Sequence, residues 1–425
     1  MFKITVQKFD STKHTNDGSF LQTPFWCEFK ARHGWTYQRF KLDIEYEGVQ
    51  NDFEVSVLNR SFAGGRFSIA YIPLFPALPF DTKEVSANDQ TIEFGAFLHD
   101  IALALKPELP SNTIAIRFDP DVSFDDLYEC YAYNKGLKIV SFADKLGLRK
   151  NRVDIQPPDT TLVDLTGTED EIMERMHSKW RYNIRLSAKK GVEVKKYTGK
   201  SINLSEKIDK FYELTKETNA RDGNSSHAKD YYLDLIKSSA HEIDAGKDVP
   251  LISLYIAEHE GEEIAAIMTL FSHDEAIYLY GASSNKKRNL MPNHLLQWTA
   301  MKDAKAYGSK YYDMYGMPPE GEDENHPMHG LYMFKANFGG RIIHRIGSWD
   351  MPLKPFTYKL YSIAEGARAW WFKKFIKKLH GREKVDCHVV SLLTMTVIAS
   401  VARQSTYHFA EPSLPFLLCN FIFNL

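Results

Sequence analysis

Residues 251–307, LISLYIAEHEGEEIAAIMTLFSHDEAIYLYGASSNKKRNLMPNHLLQWTAMKDAKAY, carry the clearest pattern of secondary structure in this chain. Apolar and β-branched runs bounded by short polar segments predict three strands, over Leu251–Ala257, Glu263–Phe271 and Glu275–Ala282. The polar segment Glu258–Glu262 joins the first two strands as a hairpin. Apolar residues at helical spacing then predict a helix over Asn293–Tyr307. A hairpin followed by a strand that leads into a helix indicates a mixed α/β unit.

Strand-like and helical runs also alternate on both sides of this stretch. The further predicted strands are Phe2–Val6, Phe53–Leu58, Arg66–Tyr71, Thr113–Phe118, Thr160–Leu165, Val192–Tyr197, Tyr311–Met314 and Arg341–Gly347. The further predicted helices are Thr23–Arg32, Asn88–Leu105, Leu204–Thr218 and Tyr231–Ser239. Pro157-Pro158 marks a boundary between two such alternations. We therefore expect an α/β fold, with the order of elements seen in acetyltransferase-like folds.

The segment 176–196, MHSKWRYNIRLSAKKGVEVKK, holds seven Lys or Arg residues and one acid, Glu193, although the formal net charge of the chain is −2. Thr168 followed by Glu171 has the spacing of a capping box, so a helix is predicted over Asp170–Lys190, ended by Gly191. Its cations could contact a polyphosphate or an RNA backbone. They are Lys179, Arg181, Arg185, Lys189 and Lys190. The alternative is a solvated basic helix face.

Composition indicates an ordinary globular protein: the 425 residues are 44% hydrophobic and 25% charged. Because the net charge is close to zero, any contact with nucleic acid must come from local basic patches. The four cysteines are scattered without metal-ligand or disulfide spacing, which predicts neither a zinc site nor a disulfide framework. The first residues, MFKITVQKFD, lack the apolar core of a signal peptide. A cytoplasmic protein is expected.

Several motifs resemble those of one known family. Beside the basic run Lys179–Val192 they are Phe20-Leu-Gln-Thr-Pro-Phe-Trp-Cys-Glu-Phe-Lys30, Tyr278-Leu-Tyr-Gly-Ala-Ser-Ser284, His294-Leu-Leu-Gln-Trp298, Ala304-Lys-Ala-Tyr-Gly308, Tyr312-Asp-Met-Tyr-Gly316 and Gly330-Leu-Tyr-Met-Phe-Lys-Ala-Asn-Phe-Gly-Gly340. In order and spacing this set resembles the FemABX family of tRNA-dependent peptidoglycan aminoacyltransferases, over about residues 1–380. The last motif is the most specific.

The resemblance implies two acetyltransferase-like (GNAT-like) domains in tandem. We expect the first domain over residues 1–155, completed by about 347–382, and the second over 156–346. Residues 383–425 lie beyond the resemblance, so a tail outside the fold is expected there. Residues 366–380, GARAWWFKKFIKKLH, form an amphipathic basic pattern. It fits either contact with an anionic membrane surface or an apolar face docked on the protein.

The resemblance also implies functional residues. Phe334 and Lys335, before an Asn-Phe-Gly-Gly turn, match the position of the key cation, which would hold the tRNA terminus or the developing oxyanion. Asp119 matches a loop acid that could accept the proton of the amine, although an Asp-Pro turn is commonly structural. The residues that would anchor the substrate are Lys30, Arg221 and Tyr280, with Tyr278 as the alternate. The chain departs from the family at Ser225, where a tyrosine is expected, and Tyr231 or Tyr232 could substitute.

An aminoacyl ester is already activated, so its attack by an amine needs positioning and oxyanion stabilisation but no enzyme nucleophile. No cofactor and no metal are expected. The partners implied are aminoacyl-tRNA and UDP-MurNAc-pentapeptide or lipid II, with the protein a monomer. One alternative is an acyl-CoA-dependent N-acyltransferase, but the connection 284–293 has no glycine to cradle a pyrophosphate. Another alternative, an RNA-binding module without catalysis, leaves the motif around Lys335 unexplained.

Overall fold

The computed structural model describes residues 2–9, 18–77, 87–222, 226–318 and 328–371. The strands are β1 (Lys3–Lys8), β2 (Thr36–Tyr46), β3 (Val49–Phe62), β4 (Phe67–Ile72), β5 (Thr113–Phe118), β6 (Ser123–Phe124), β7 (Arg149–Lys150), β8 (Asp159–Asp164), β9 (Glu193–Tyr197), β10 (Leu251–His259), β11 (Glu262–Phe271), β12 (Glu275–Ser283), β13 (Tyr311–Asp313), β14 (Arg341–Arg345) and β15 (Trp349–Pro352). The α-helices are α1 (Pro24–Arg32), α2 (Ala87–Leu105), α3 (Leu127–Ala143), α4 (Glu169–Arg175), α5 (Ser178–Lys189), α6 (Leu204–Asp222), α7 (Lys229–Asp244), α8 (Pro292–Tyr307), α9 (His329–Ala336) and α10 (Pro355–Trp371).

Two mixed sheets repeat one arrangement. The first sheet has the order β1-β2-β3-β4-β5-β15-β7, and the second has the order β6-β14-β8-β13-β12-β11-β10-β9. In each sheet an antiparallel meander is followed by a helix and then by a parallel strand, through α2 in the first sheet and α8 in the second. The predicted α/β class with tandem acetyltransferase-like units is confirmed.

The hydrophobic cores explain why the two sheets meet. One core packs the first sheet against α2 and α3, and another packs the second sheet against α8. A third core joins both halves, because α1 brings Phe25 and Phe29 against Leu235 and Ile236 of α7 and against β10 to β12. The N-cap of α1 is Thr23, whose side chain accepts a hydrogen bond from the Trp26 amide at 3.3 Å.

The predicted basic helix over Asp170–Lys190 is wrong in one respect, because the structure divides it into α4 and α5. Met176 and His177 between them have extended ψ angles of 151° and 140°, and the His177 side chain caps α5 by accepting from the Lys179 amide. The capping box of Thr168 and Glu171 is present. The interruption lets Gly339 approach the main chain so closely that a Cβ there would lie 2.2 Å from the Arg175 carbonyl oxygen.

The domain limits stay a prediction, although two strands bear on them. β15 joins the first sheet, as expected for a segment that completes the first domain, whereas β6 from the first half pairs with β14 in the second sheet. Within the described ranges, no helix combines the length and the apolar character needed to cross a bilayer. Residues 372–380 of the amphipathic basic pattern, the tail 383–425 and Ser225 lie outside the described residues.

Candidate functional site

Lys335 is buried in the last turn of α9, with 6% of its surface exposed. Its Nζ donates to the main-chain oxygens of Met314 at 2.7 Å, Tyr315 at 2.9 Å and Gly316 at 2.7 Å. The ring of Tyr278 lies below, 5.0 Å from Nζ to its centroid. Lys335 is therefore not a surface lysine, and all three protons of its ammonium group have acceptors in the loop that follows β13.

Burial lowers the pKa of Lys335 to about 7, and the negative charge of Asp313 opposes this effect. Both forms of the amine are therefore accessible near neutral pH. The charged form matches the three carbonyls better, because a neutral amine has only two protons to donate.

Asp119 is 3% exposed, just after β5. Its carboxylate accepts from the Ser348 hydroxyl, from the Tyr71 hydroxyl and from the Gln156 amide at 3.3 Å. Burial raises its pKa despite these donors. A carboxylate with this many donors is a structural junction, and its oxygens are not turned to an open space as those of a free general base would be.

Tyr315 connects Lys335 to Asp119. Its main-chain oxygen accepts from Lys335, and its hydroxyl donates to Oε1 of Gln156. The Gln156 side chain in turn donates to the Tyr71 hydroxyl at 3.0 Å. The two predicted catalytic positions, one from each half of the chain, thus belong to one hydrogen-bonded network.

A small cleft, about 310 Å³ when the open solvent at its mouth is included, lies beside this network. Its lining comes from both halves: Ser19, Phe20, Leu21, Leu74, Gln156, Pro157, Glu275, Ile277, Asp313, Tyr315 and Arg345. Asp313 is 2% exposed, and its carboxylate accepts from the Thr160 hydroxyl and from the Tyr315 amide at 2.6 Å. An Arg345 guanidinium nitrogen lies 3.5 Å from the other oxygen of Asp313.

The charged residues of this cleft were not identified from the sequence. Burial, together with the nearby Asp313, raises the pKa of Glu275 to about 8. Asp313 lies inside the motif Tyr312–Gly316, which was a usable signal, whereas nothing in the sequence around Glu275 or Arg345 marks them. Because its raised pKa keeps Glu275 largely protonated at neutral pH, its carboxyl group can both donate and accept a hydrogen bond, while Asp313 and Arg345 form an ion pair beside it.

Lys30 does not line this cleft and is surrounded by aromatic rings. Its Nζ lies over the rings of Trp35, Trp26 and Tyr231, at 5.2, 5.6 and 5.6 Å from their centroids. Burial lowers its pKa to about 8, with a smaller effect from the charge of Arg60. In the described part of the chain Lys30 has no carboxylate within ion-pair distance, so a half-buried cation is available to an anion.

The two candidate tyrosines of β12 face opposite sides of the second sheet. A β-bulge opposite Met268 and Thr269 places Tyr280 and Leu279 on the side of the third core, and Tyr278 beneath Lys335. Tyr280 hydrogen-bonds Tyr231 and so belongs to the group around Lys30. Tyr278 and Tyr280 are therefore not interchangeable.

Arg221 lies in the last turn of α6, and its guanidinium group already has partners. Its guanidinium pairs with Asp222 at 2.9 Å and donates to the Ser283 carbonyl at 3.1 Å and to the Asn285 side chain at 3.0 Å. These contacts tie α6 to the end of β12. The structure therefore does not place Arg221 with Lys30 as a second open cation.

The cations of α5 separate into two kinds. Lys179, Arg185, Lys189 and Lys190 are exposed, and no ion pair engages them within the described ranges. Arg181 instead donates to the carbonyls of Glu174 at 3.0 Å and Met176 at 2.6 Å, where it caps the end of α4. Four of the five predicted cations thus face solvent, and the fifth has a structural role.

Helix α5 is hydrogen-bonded to the segment that carries Lys335. The Trp180 indole donates to the Phe334 carbonyl at 3.0 Å, and the His177 amide donates to the Asn337 carbonyl at 3.0 Å. The Phe334 ring packs edge-on against His294 and Phe338, each at 5.3 Å between centroids. An exposed basic face and the buried lysine are therefore parts of one rigid unit.

A model of the FemAB family matches residues 4–244 and 252–366 of this chain. Two similar proteins are named lipid II:glycine glycyltransferase. That of Staphylococcus aureus (strain COL) is 26% identical over 419 residues, which cover 84% of this chain and 94% of the relative. That of Staphylococcus haemolyticus (strain JCSC1435) is 25% identical over 439 residues, covering 89% and 99%. The crystal structure of FemX superposes with a TM-score of 0.60 at 21% identity, over 84% of this chain and 100% of that one.

Proposed function

This chain belongs to the FemAB family, and on that premise we propose that it transfers an amino acid from aminoacyl-tRNA to the amino group of a peptidoglycan stem peptide. The observation that carries the proposal is the attachment of α5 to α9. Through Trp180 and His177, the exposed basic face is fixed to the helix that holds Lys335. An RNA bound along α5 would present its end toward the interdomain cleft.

The acceptor side of the proposal uses Lys30 and the acidic residues of the cleft. A peptidoglycan precursor carries a diphosphate, for which the aromatic-lined Lys30 is a suitable cation. The stem-peptide amine would lie beside Glu275 and Asp313, whose carboxyl oxygens can accept hydrogen bonds from it. The relatives are named for lipid II, and we take lipid II as the acceptor here, with UDP-MurNAc-pentapeptide as the soluble alternative.

The chemistry requires the amine to lose a proton and attack the ester carbonyl, after which the C–O bond to the ribose breaks and the leaving ribose oxygen takes up a proton. With its raised pKa, Glu275 is the group of the cleft best matched to accept that proton near neutral pH. Asp119 acts through its hydrogen bonds, as a positioning residue for Tyr71 and Gln156. In its charged form Lys335 would stabilise the oxyanion of the tetrahedral intermediate through its electric field alone, since its three protons already have acceptors in the loop 314–316.

The connection between β12 and α8 argues against the acyl-CoA alternative. An acyl-CoA enzyme offers free main-chain amides at a helix N-terminus to the pyrophosphate. Here the Asn285 amide donates to Glu217 at 2.7 Å, the Lys286 amide donates to the Ser284 hydroxyl at 3.2 Å, and Pro292 has no amide proton. Two basic side chains of the same loop, Lys286 and Lys287, are paired with Glu260 and Glu262.

The test is a transfer assay with pools of radiolabelled aminoacyl-tRNA. The protein is incubated with lipid II in detergent, or with UDP-MurNAc-pentapeptide, and any labelled product is identified by mass. We expect one amino acid to be added to the stem peptide. Transfer from acyl-CoA with none from any aminoacyl-tRNA would replace this proposal by the alternative, and RNA binding without any turnover would leave only a binding module.

A further inference from the structure

Helix α3 has one buried face and one strongly exposed face. Asp126 caps its N-terminus by accepting from the Glu129 amide at 2.9 Å. Cys130, Tyr133 and Leu137 on the inner face pack into the core of the first sheet. This helix is part of neither the cleft nor the basic face of α5.

The outer face is apolar and aromatic rather than polar. Tyr128 is 80% exposed, Tyr131 54%, Ile139 58% and Phe142 89%. With 3.6 residues per turn, these four side chains fall within an arc of roughly 120° on the helix surface. The same arc also holds two exposed lysines, Lys135 and Lys138.

The arc contains no acidic residue. Glu129, the one acid within α3, lies outside it. A solvent-facing stripe on a globular helix is normally polar, so the strongly exposed rings of Tyr128 and Phe142 beside two cations indicate a surface that binds a partner which accepts both. Tyrosine and phenylalanine favour the boundary between lipid headgroups and acyl chains, while lysine extends its ammonium group to the phosphates.

We propose that this face of α3 docks on the surface of an anionic lipid bilayer. Tyr128, Tyr131, Ile139 and Phe142 then enter the headgroup boundary, and Lys135 and Lys138 lie at the lipid phosphates. The inference rests on the proposed function in one respect, since a lipid-linked acceptor would bring the protein to a membrane. A second copy of the chain fits the face less well, because two such stripes packed together would bring lysines together without any acid between them.

A local probe tests this independently of other membrane contacts. Phe142→Cys is labelled with an environment-sensitive fluorophore in a full-length Cys387→Ser/Cys419→Ser background. The remaining cysteines, Cys27 and Cys130, are 0% and 3% exposed, so they resist labelling. The matched control carries the same label at Ile202→Cys, a fully exposed position before α6.

We expect a blue shift of the Phe142→Cys label with vesicles of phosphatidylcholine and phosphatidylglycerol, little shift with phosphatidylcholine alone, and none at the Ile202→Cys label. No shift at position 142 overturns the proposal, and so does an equal shift at both positions. A shift that appears without vesicles and grows with protein concentration would assign the face to a second copy instead.

Vesicle sedimentation of unlabelled protein adds a quantitative test. Lys135→Gln/Lys138→Gln should weaken binding through this face by roughly fivefold for each lysine. Tyr128→Ser/Phe142→Ser should weaken it by about tenfold or more, and Ile202→Ser should leave it unchanged. Wild-type vesicle binding by both double variants would overturn the proposal.

The transfer assay separates this inference from the proposed function. The α3 variants should keep full activity on the soluble nucleotide acceptor and lose it only on lipid II presented in vesicles. Vesicle binding itself needs neither tRNA nor acceptor. If vesicles bind but no amino acid is transferred, the proposed function fails while the docking surface stands.

Discussion

Replacing Lys335 by methionine removes a buried amino group and leaves three carbonyls, those of residues 314–316, without their donor. An unsatisfied buried carbonyl costs about 1–3 kcal/mol, and relaxation of the loop and entry of water recover part of it. We therefore expect Lys335→Met to lower the free energy of unfolding by about 2–4 kcal/mol at pH 8. The variant should still fold, but it should lose more stability than a protein in which a surface lysine is replaced by methionine.

The loss should depend on pH in a definite direction. The folded protein releases the Lys335 proton near pH 7, whereas the unfolded chain keeps it up to about pH 10.5. Folding therefore releases a proton within that window, so the contribution of Lys335 to stability grows as pH rises and is lost as pH falls to 7. Between pH 6 and pH 8 the wild type should gain about 1.4 kcal/mol relative to Lys335→Met.

Urea denaturation of both proteins at the two pH values measures this difference, because titrations common to both cancel. Lys305→Met is a matched control, since Lys305 also donates to a main-chain oxygen, that of Leu165 at 3.2 Å, but lies away from the cleft. Parallel stability curves for wild type and Lys335→Met would refute the argument that burial shifts this pKa.

Kinetics of the same variant separate two roles for the cation. If Lys335 stabilises the oxyanion, kcat should fall by about a hundred- to a thousandfold. If it serves only to hold a tRNA phosphate, KM for aminoacyl-tRNA should rise while kcat is nearly kept. Wild-type values for both parameters would remove Lys335 from the site.

Three further changes test other parts of the site. Replacing the exposed cations of α5, Lys179, Arg185 and Lys189, by Gln should lower the slope of log binding constant for tRNA against log salt by about two to three units in filter binding; an unchanged slope would leave α5 as a solvated face. Glu275→Gln should become more stable relative to wild type as pH rises from 4.5 to 8, because the folded protein keeps this carboxyl protonated while the unfolded chain ionises it. Chemical denaturation across that range measures the difference, and the free energies of unfolding of the two proteins would depend on pH in the same way if Glu275 were fully solvated. Asp119→Asn should lower stability by about 1–3 kcal/mol, since an amide group faces hydrogen-bond donors there, and a lost kcat with an unchanged melting temperature would instead favour Asp119 as the proton acceptor.

The fold was largely predictable because most elements have one exposed and one buried side. Thr113–Phe118 was predicted with the limits of β5, and Asn293–Tyr307 differs from α8 by one residue. β2 was missed although Phe40, Leu42 and Ile44 alternate with half-buried polar residues along it, which was a usable signal. The division of the basic helix was not predictable, because it depends on the approach of Gly339 from a distant part of the chain.

The site was predictable only where a motif carried it. The motif around Phe334 and Lys335 marked the correct position, but the carbonyl partners of Lys335 come from about twenty residues earlier and appear only when the chain is folded. Local spacing would place Tyr278 and Tyr280 on one face of a strand, and the β-bulge separates them. Glu275 and Arg345 have no sequence signal, because their proximity to Asp313 is a product of sheet order.

The contact between the two halves explains how a reaction that relies on positioning can be supported by this fold. The third core fixes α1 against α7, and Arg32 reinforces the contact by pairing with Asp234 at 3.1 Å. The hydrogen bonds from Lys335 through Tyr315 and Gln156 then cross from the second half to the first without a gap. Moving one half relative to the other would break this network and separate the two walls of the cleft. An activated ester and an amine held in such a cleft need little more than correct orientation, because most of the barrier that an enzyme must lower in aminolysis is entropic and electrostatic.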